Sequence, residues 1–258
     1  MSTGFSVVPV AGLPMVQPDE NLAQLILDTL KQQSLSLVDG DIVCVAQKVV
    51  SKAEGQLVAL ADVTPSARAE SLAQETDKDP RLVELILQES DEILRQRVGV
   101  LIVRHKLGLV GAHAGIDQSN VDHGEGEQAL LLPRDPDASA ARLVDAIAEL
   151  TGVRVAVIIT DSQNRPWRMG TIGAAIGCAG LTVLDDHRGG TDIYGRELKV
   201  TLINRADALA AAATLVMGET TEKIPLALIR GLPLEDTGQT SMQTAAIINR
   251  PLDEDLFR

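Results

Sequence analysis

The chain has 258 residues, 45% of them apolar, and its 36 acidic against 23 basic residues give a net charge of −13. A chain of this length can bury a sizeable core, but so acidic a surface repels nucleic acid and anionic lipid, which excludes binders of either. The N-terminus has no basic start followed by a long apolar run, and every apolar run is far shorter than the roughly 20 residues of a membrane helix. We therefore expect a cytoplasmic protein without nucleic-acid or membrane partners.

Hydrophobic periodicity predicts helices and strands along the whole chain. Strands are expected where short apolar runs stand between turn residues, and helices where apolar residues recur every three or four positions. In chain order, the predicted elements are a strand at 5–10, a helix at 19–33, a strand at 41–46, helices at 70–76 and 80–90, a hairpin of strands 98–103 and 107–110, a long ordered loop at 114–133, a helix at 137–150, strands at 153–160, 176–184 and 199–203, a helix at 207–217 and a strand at 224–230. The irregular alternation favours an α+β fold over a regular parallel sheet.

The segment after the predicted strand 153–160 has the most distinctive set of polar side chains. The strand is predicted to end in Asp161, and a carboxylate at a strand end is held rigidly where it can bind Mg²⁺ or Mn²⁺. Ser162 offers a hydroxyl ligand. Arg165 and Arg168 offer bidentate donors for a phosphate or a carboxylate. The alternative is a capped turn with solvated arginines.

Segment 115–122 is a second candidate site. Its side chains Asp117, Asn120 and Asp122 supply hard oxygen ligands and an amide donor, but their spacing is not that of an EF-hand loop. The alternative is a loop held by Asx turns between its own side chains.

Segment 47–55 leaves the predicted strand 41–46 with two lysines and a serine. Lys48, Ser51 and Lys52 can hold phosphate groups, although the Walker A pattern is absent. A solvated basic strand edge is the alternative.

Segment 218–225 follows the predicted helix 207–217, which Gly218 is expected to cap. Its two hydroxyls and its carboxylate can serve a nucleotide or a metal, and an ordinary link between helix and strand is the alternative. Elsewhere the sequence shows no recognised catalytic set: the four histidines have no zinc-like spacing, and the two cysteines lie in apolar runs typical of buried, reduced thiols.

Six motifs, taken in order, resemble one known family. They are V-x-G-L-P near the start, Q-K-V-V-S-K-A-E-G at 47–55, A-G-I-D-Q-S-N at 114–120, L-L-P-R-D-P-D-x-S-A at 131–140, T-D-S-x-x-R-P-W-R-x-G at 160–170 and R-P-x-x-x-D-L-F-R at 250–258. Together they resemble the F420-0:γ-glutamyl ligases over nearly the whole chain. The resemblance implies a two-lobed α+β fold, an intertwined homodimer, and lobes at 1–85 plus 190–258 and at 86–189.

The resemblance also implies an activity. Such a ligase forms an amide between L-glutamate and the lactyl carboxylate of F420-0, hydrolyses GTP to GDP and phosphate, and proceeds through an acyl phosphate; some members add further γ-linked glutamates. It uses two Mg²⁺ or Mn²⁺ ions per site, with K⁺. The alternatives are a metal-dependent nucleotide or phosphate hydrolase and a non-catalytic deazaflavin-binding protein.

By the same resemblance, Asp117 and Asp161 hold one metal, and Ser162 and Glu219 help to hold a second. Asp117, Asp161, Arg165 and Arg168 are the expected catalytic residues. The residues expected to line the GTP site are Leu13, Pro14, Met15, Val16, Gln47, Lys52, Asn120, Met217, Gly218, Glu219, Thr220, Thr221, Glu222, Lys223 and Ile224. This chain departs from many members of the family at Ser162 and Asn164, where Thr and Gly are expected, and from some relatives at Glu219, where Gln is expected.

Overall fold

The computed structural model describes residues 4–124, 126–164, 167–234 and 243–255. The strands are β1 (Ser6–Val10), β2 (Ile42–Ala46), β3 (Leu57–Ala59), β4 (Ser90–Arg97), β5 (Val100–His105), β6 (Val110–Ala112), β7 (Gln128–Leu130), β8 (Ala156–Asn164), β9 (Thr171–Ala179), β10 (Leu184–Asp186), β11 (Leu202–Asn204) and β12 (Leu226–Arg230). The α-helices are α1 (Leu22–Gln32), α2 (Gln47–Ala53), α3 (Ala67–Thr76), α4 (Pro80–Gln88), α5 (Pro136–Thr151) and α6 (Arg205–Met217). This mixture of helices with antiparallel and parallel strands confirms the α+β class.

Contacts divide the chain into two compact units. The first consists of Met1–Val16, Asn21–Gln47 and Asp135–Arg258, and the second of Gln17–Glu20 and Lys48–Arg134. These boundaries differ from those of the lobes predicted from the sequence. Segment 135–189 belongs to the first unit because β8 hydrogen-bonds to β2. Segment 48–85 belongs to the second unit because α3 and α4 share a core with β5.

The first unit is built on a five-stranded sheet in the order β1-β12-β2-β8-β9. β2 and β8 are parallel, and β12 runs antiparallel to both β1 and β2. The strands β1, β2 and β8 therefore all run in one direction. Their carboxyl ends lie at one edge of the sheet, together with the amino end of β12, and we call this the carboxyl edge.

Helices cover both faces of this sheet. On one face, Ala210 and Ala213 of α6 share a buried cluster with Cys44 and Ile158. On the opposite face, to which alternate side chains point, Ile26 of α1 lies against the sheet. Both cysteines are buried and reduced, as predicted. Burial raises the pKa of the Cys44 thiol to about 12, so this group stays protonated.

The outer strand β9 has its free edge closed by carboxylates from the two helices that follow β7 and β11. Asp137, in the first turn of α5, accepts the backbone N–H of Cys178 at 2.8 Å, and Asp207 of α6 accepts that of Ala175 at 2.8 Å. An exposed strand edge is a template for pairing with other chains. These two carboxylates occupy that edge and fix both helix starts on it.

The second unit has two smaller sheets, β3-β7 and β4-β5-β6. Helices α3 and α4 pack on its core through an apolar cluster that includes Leu72, Val83, Ile86, Leu101 and Val103. No helix in the described part of the chain is both long and apolar enough to cross a membrane.

Several predicted elements differ from those observed. The predicted strand 176–184 is wrong, because β9 occupies 171–179 and β10 begins only at Leu184. The predicted loop 114–133 contains β7, which pairs with β3. Strand β4 at 90–97 was not expected, because its alternating charged residues have no apolar run. The hairpin is formed by β5 and β6, with the turn displaced by a few residues.

Candidate active site

In the first unit, four of the segments predicted to form the site lie at the carboxyl edge. Ala46 at the end of β2 is the register partner of Thr160 on β8, so Gln47 and Asp161 follow this pair directly. Residues 13–16 follow β1, and residues 217–224 precede β12, whose first residue pairs with Val10 of β1. The sheet topology therefore brings together segments that are far apart in sequence. Such carboxyl ends are common ligand sites in open sheets.

The sequence prediction that β8 ends in Asp161 is wrong. The strand continues to Asn164, and Asp161 and Ser162 are paired with Ala174 and Gly173 of β9. Beyond Thr160 the strand has no register partner on β2, so it is a two-stranded ribbon that projects from the sheet. Asp161 is therefore held between two paired neighbours in an extended backbone, which fixes its carboxylate more firmly than a loop would.

Asp161 and Ser162 point to opposite faces of this ribbon because side chains alternate along a strand. The backbone N–H of Ser162 donates to Asp161 Oδ1 at 2.9 Å. The one-residue bulge in this pairing lies in β9, since Ile159 pairs with Gly177 and Thr160 with Ala175. The alternation of side chains along β8 is therefore uninterrupted, and the Ser162 side chain lies on the same face as that of Ile158. This face is the one covered by α6.

The turn after α6 is built around Gly218 and Glu222. Gly218 has a φ of 73° and its N–H donates to Thr214 O at 3.0 Å, which confirms it as the helix cap. Glu222 accepts the Thr220 N–H at 2.8 Å and the Thr220 hydroxyl at 3.1 Å. The backbone N–H of Glu222 itself, and then that of Thr220, lower the pKa of the Glu222 carboxyl group. A Cβ atom at position 218 would overlap the Glu222 carboxyl group. Glu222 thus shapes the turn, while Glu219 and Thr221 are exposed.

In the second unit, the predicted residues Asp117, Asn120 and Lys52 lie together. Asp117 Oδ2 accepts the Lys48 ammonium at 2.9 Å, and Lys52 Nζ donates to the Asn120 carbonyl at 3.1 Å. Burial lowers the pKa of Lys52, and so does Lys48, whereas Asp122 raises it. Segment 47–53 is the helix α2 rather than a segment leaving a strand, so the two lysines, four residues apart, share one face.

The loop after Asn120 is held by its own side chains. Asp122 Oδ1 accepts the Gly124 N–H at 3.0 Å, which is the Asx turn expected as the alternative for this segment. The Gln128 N–H donates to His123 Nδ1 at 3.1 Å, so Nε2 bears the ring proton and donates to Gln118 O at 3.0 Å. Asn120 itself has a φ of 56°, a conformation that Asn tolerates better than most residues.

Among the remaining predicted residues, several are exposed and one is undescribed. Pro14 and Met15 are exposed, whereas Val16 is buried. Arg168 is exposed beside Trp167, whose side chain is 89% exposed. Arg165 lies outside the described residues.

The sequence profile of the F420-0:Gamma-glutamyl ligase family matches residues 12–231. Several curated proteins named coenzyme F420:L-glutamate ligase are similar over almost their whole length. The chain is 44% identical to that of Methanothermobacter thermautotrophicus and 44% identical to that of Methanopyrus kandleri, each over 99% of both chains. It is 42% identical to that of Archaeoglobus fulgidus, over 98% of this chain and 96% of the relative. The chain belongs to the F420-0:γ-glutamyl ligase family.

For a member of this family, the donor set at the carboxyl edge is compatible with Mg²⁺ or Mn²⁺. Among the residues that the structure describes, no group of three or more His, Cys, Asp or Glu side chains is placed to hold a metal ion. Mg²⁺, however, is usually bound by one or two carboxylates together with water and substrate phosphates. The carboxylate of Asp161, the hydroxyl of Ser162 and the exposed Glu219 are hard oxygen donors of that kind. Asp117 already pairs with one cation, the Lys48 ammonium.

Two further polar residues lie beside predicted site residues of the same unit. Lys48 was considered for phosphate binding but was not assigned to the site; a helical interpretation of 47–53 would have placed it on one face with Lys52. Thr160, 4% exposed, precedes Asp161, and its hydroxyl has no hydrogen-bond partner within the described ranges. Thr160 is the first residue of the motif at 160–170, but the sequence does not show that it is buried, because its burial results from the pairing of β8 with β2 and β9.

Proposed function

We propose that this chain is a GTP-dependent ligase that joins L-glutamate to the lactyl carboxylate of coenzyme F420-0. Family membership supports the ligase class, and the name that the relatives carry supports F420 and L-glutamate as substrates. The structural observation that carries the proposal is the convergence of Gln47, Asp161 and the turn 217–224 at the carboxyl edge. A nucleotide and a divalent ion need amide, carboxylate and hydroxyl groups close together.

The proposed reaction has two steps. A carboxylate oxygen of F420-0 takes the γ-phosphoryl group of GTP, which gives an acyl phosphate and releases GDP. The amine of L-glutamate then attacks the acyl carbon, so the amide bond forms, phosphate leaves and the amine loses a proton. Activation is needed because a carboxylate is a poor electrophile towards an amine. Repetition on the product would add further γ-linked glutamates.

In the first unit, we propose that Gln47, residues 13–16 and residues 217–224 contact the nucleotide, and that Asp161, Ser162 and Glu219 hold divalent ions. Mg²⁺ or Mn²⁺ supplies neutralisation of the charge that develops on the transferring phosphoryl group. Arg168 is exposed and offers bidentate donors to an anionic substrate.

In the second unit, we propose that Asp117 is a metal ligand and that Lys52 and Asn120 contact phosphate groups. Burial and Lys48 lower the pKa of Lys52, so an approaching anion relieves the repulsion between two ammonium groups. The chain has a net charge of −13. Lys48 and Lys52 are therefore a local pair of positive charges on an acidic protein, and such a pair favours a polyanionic substrate.

We also propose that the protein acts as a homodimer. Residues 187–201, between β10 and β11, form an ordered arm: Leu198 donates its N–H to Gly190 O at 2.8 Å, and His187 donates to Thr201 O at 3.0 Å. At its tip Ile193 and Tyr194 are 90% and 88% exposed. Large apolar side chains exposed on an ordered arm favour burial against another chain.

A coupled assay followed by mass spectrometry tests the proposal. Purified protein is mixed with GTP, F420-0, L-glutamate, Mg²⁺ or Mn²⁺, and K⁺, and each component is omitted in turn. A product heavier by one or more glutamyl units, with GDP formed only when both substrates are present, is expected. GDP without a conjugate would favour a hydrolase, and F420-0 binding without any turnover would favour a non-catalytic deazaflavin-binding protein.

A further inference from the structure

In the second unit, the proposed metal ligand Asp117 forms an ion pair with Lys48. Lys48 Nζ lies 2.9 Å from Asp117 Oδ2, and the two side chains are only 27% and 26% exposed. A carboxylate so paired already has its negative charge neutralised. A divalent ion that binds Asp117 must therefore displace the ammonium group of Lys48 or share the carboxylate with it.

The displaced ammonium group has few favourable positions near α2. Lys52 is on the same helix face, its Nζ lies 3.1 Å from the Asn120 carbonyl, and Lys48 already lowers its pKa. Away from Asp117, the Lys48 ammonium group loses its carboxylate partner but still faces the positive charge of Lys52. An anion beside both lysines restores the balance, and phosphate oxygens are strong acceptors for ammonium donors.

We propose that Lys48 is an exchange cation that couples metal binding to nucleotide binding. Lys48 neutralises Asp117, and it moves to a phosphate group of the nucleotide when a divalent ion takes the carboxylate. This inference rests on the proposed function of Asp117 as a metal ligand. Because binding free energies are reciprocal, the nucleotide strengthens metal binding by the same factor as the metal strengthens nucleotide binding.

The first test measures Mn²⁺ binding without nucleotide by electron paramagnetic resonance. Lys48→Gln is expected to bind Mn²⁺ about threefold to fivefold more tightly than the wild type, the range of a partly exposed ion pair. Lys48→Arg, which keeps the charge on Asp117, is expected to show no gain. Lys52→Gln is the matched control. It removes an equal charge four residues from Lys48, and the Lys52 ammonium group contacts the Asn120 carbonyl rather than a carboxylate. Its gain is expected to be smaller.

The second test measures the affinity of the protein for a fluorescent GTP analogue in the presence of EDTA, which removes divalent ions. Asp117→Asn releases Lys48 and is expected to raise the metal-free affinity, and the added substitution Lys48→Gln is expected to cancel that gain. Asp122→Asn, which removes a charge from the same loop, is the control and is expected to raise the affinity less.

The outcomes separate this inference from the proposed function. Equal gains in Mn²⁺ affinity for Lys48→Gln and Lys52→Gln would show a general field effect and overturn the exchange, even if ligation proceeds normally. If Asp117→Asn leaves Mn²⁺ binding unchanged, Asp117 is not a metal ligand. The inference then falls together with that part of the proposed function.

Discussion

Gly173 of β9 lies against Thr214 of α6 so closely that a Cβ atom at position 173 would overlap the Thr214 hydroxyl and the Ala210 carbonyl oxygen. Gly173 is also the register partner of Ser162. The absence of a side chain therefore lets the last turn of α6 approach the ribbon beside Ser162. The turn at 218–222 begins at the end of this helix, so its position depends on the contact.

Gly173→Ala is expected to destabilise the protein by about 1–3 kcal/mol, the usual cost of overpacking a close contact. The Thr214 side chain can rotate, but the backbone at Ala210 cannot yield without moving the helix. Urea denaturation measures the change. Gly111→Ala is the control, because no atom lies within 4 Å of a Cβ atom built there. Equal denaturation midpoints for both variants would contradict the tight contact.

Asp161→Asn is expected to lower the ligation rate by about a hundredfold or more, as the loss of a charged group that stabilises a transition state commonly does. The fold should be retained, since Asn fits the same volume in a paired strand. Mass spectrometry of the product and a thermal melting curve measure the two effects. Asp145→Asn, an exposed position on α5, is the control. Full activity of Asp161→Asn with a normal melting curve would refute the metal assignment.

The sequence alone predicted the α+β class and most buried strands. The continuous apolar runs of β2 and β8 predict buried strands, because a strand that is buried on both faces has no alternation of polar and apolar residues. The resemblance supplied the site residues, and the structure groups many of them. Gln47, Asp161 and Glu219 belong to segments at the carboxyl edge, a grouping that depends on strand order and that no local pattern contains.

The predictions that failed depend on tertiary context. The polar end of β8, Asp161–Asn164, pairs only with β9 within the sheet, so it has no apolar run to signal a strand. Helix α2 contains the adjacent β-branched residues Val49 and Val50, which are poor local evidence for a helix. Burial of both valines overrides that weak propensity.

Glu84→Gln is expected to lower stability at pH 7 by less than about 1 kcal/mol, because the carboxylate is largely exposed to solvent. Glu84 Oε2 accepts the Ser66 hydroxyl at 2.6 Å and the Ser66 N–H at 2.9 Å. The hydroxyl and then the N–H of Ser66 lower the pKa of Glu84 from its usual 4.5. This contribution to stability is present above pH 4.5 and is lost as pH falls through the lowered pKa, since the unfolded state binds the proton first.

Chemical denaturation of Glu84→Gln and the wild type from pH 7 to pH 3 tests this sign. Their difference should be constant near neutrality and shrink below about pH 4.5, the usual value for Glu. Glu149→Gln, exposed on α5, should differ little from the wild type throughout. A difference that grows on acidification would contradict the lowered pKa.

The double substitution Ile193→Ser and Tyr194→Ser is expected to convert a dimer into a monomer while leaving the fold intact. Both side chains are about nine-tenths exposed at the tip of the arm, so the chain itself loses little packing when they are removed. A dimer that buries them would lose apolar contact area worth about 25 cal/mol per Å². Light scattering across a dilution series measures the mass. The control is Val98→Ser, which removes a 71% exposed apolar side chain between β4 and β5. A monomeric wild type, or a double variant that stays dimeric, would remove the arm from the proposed interface.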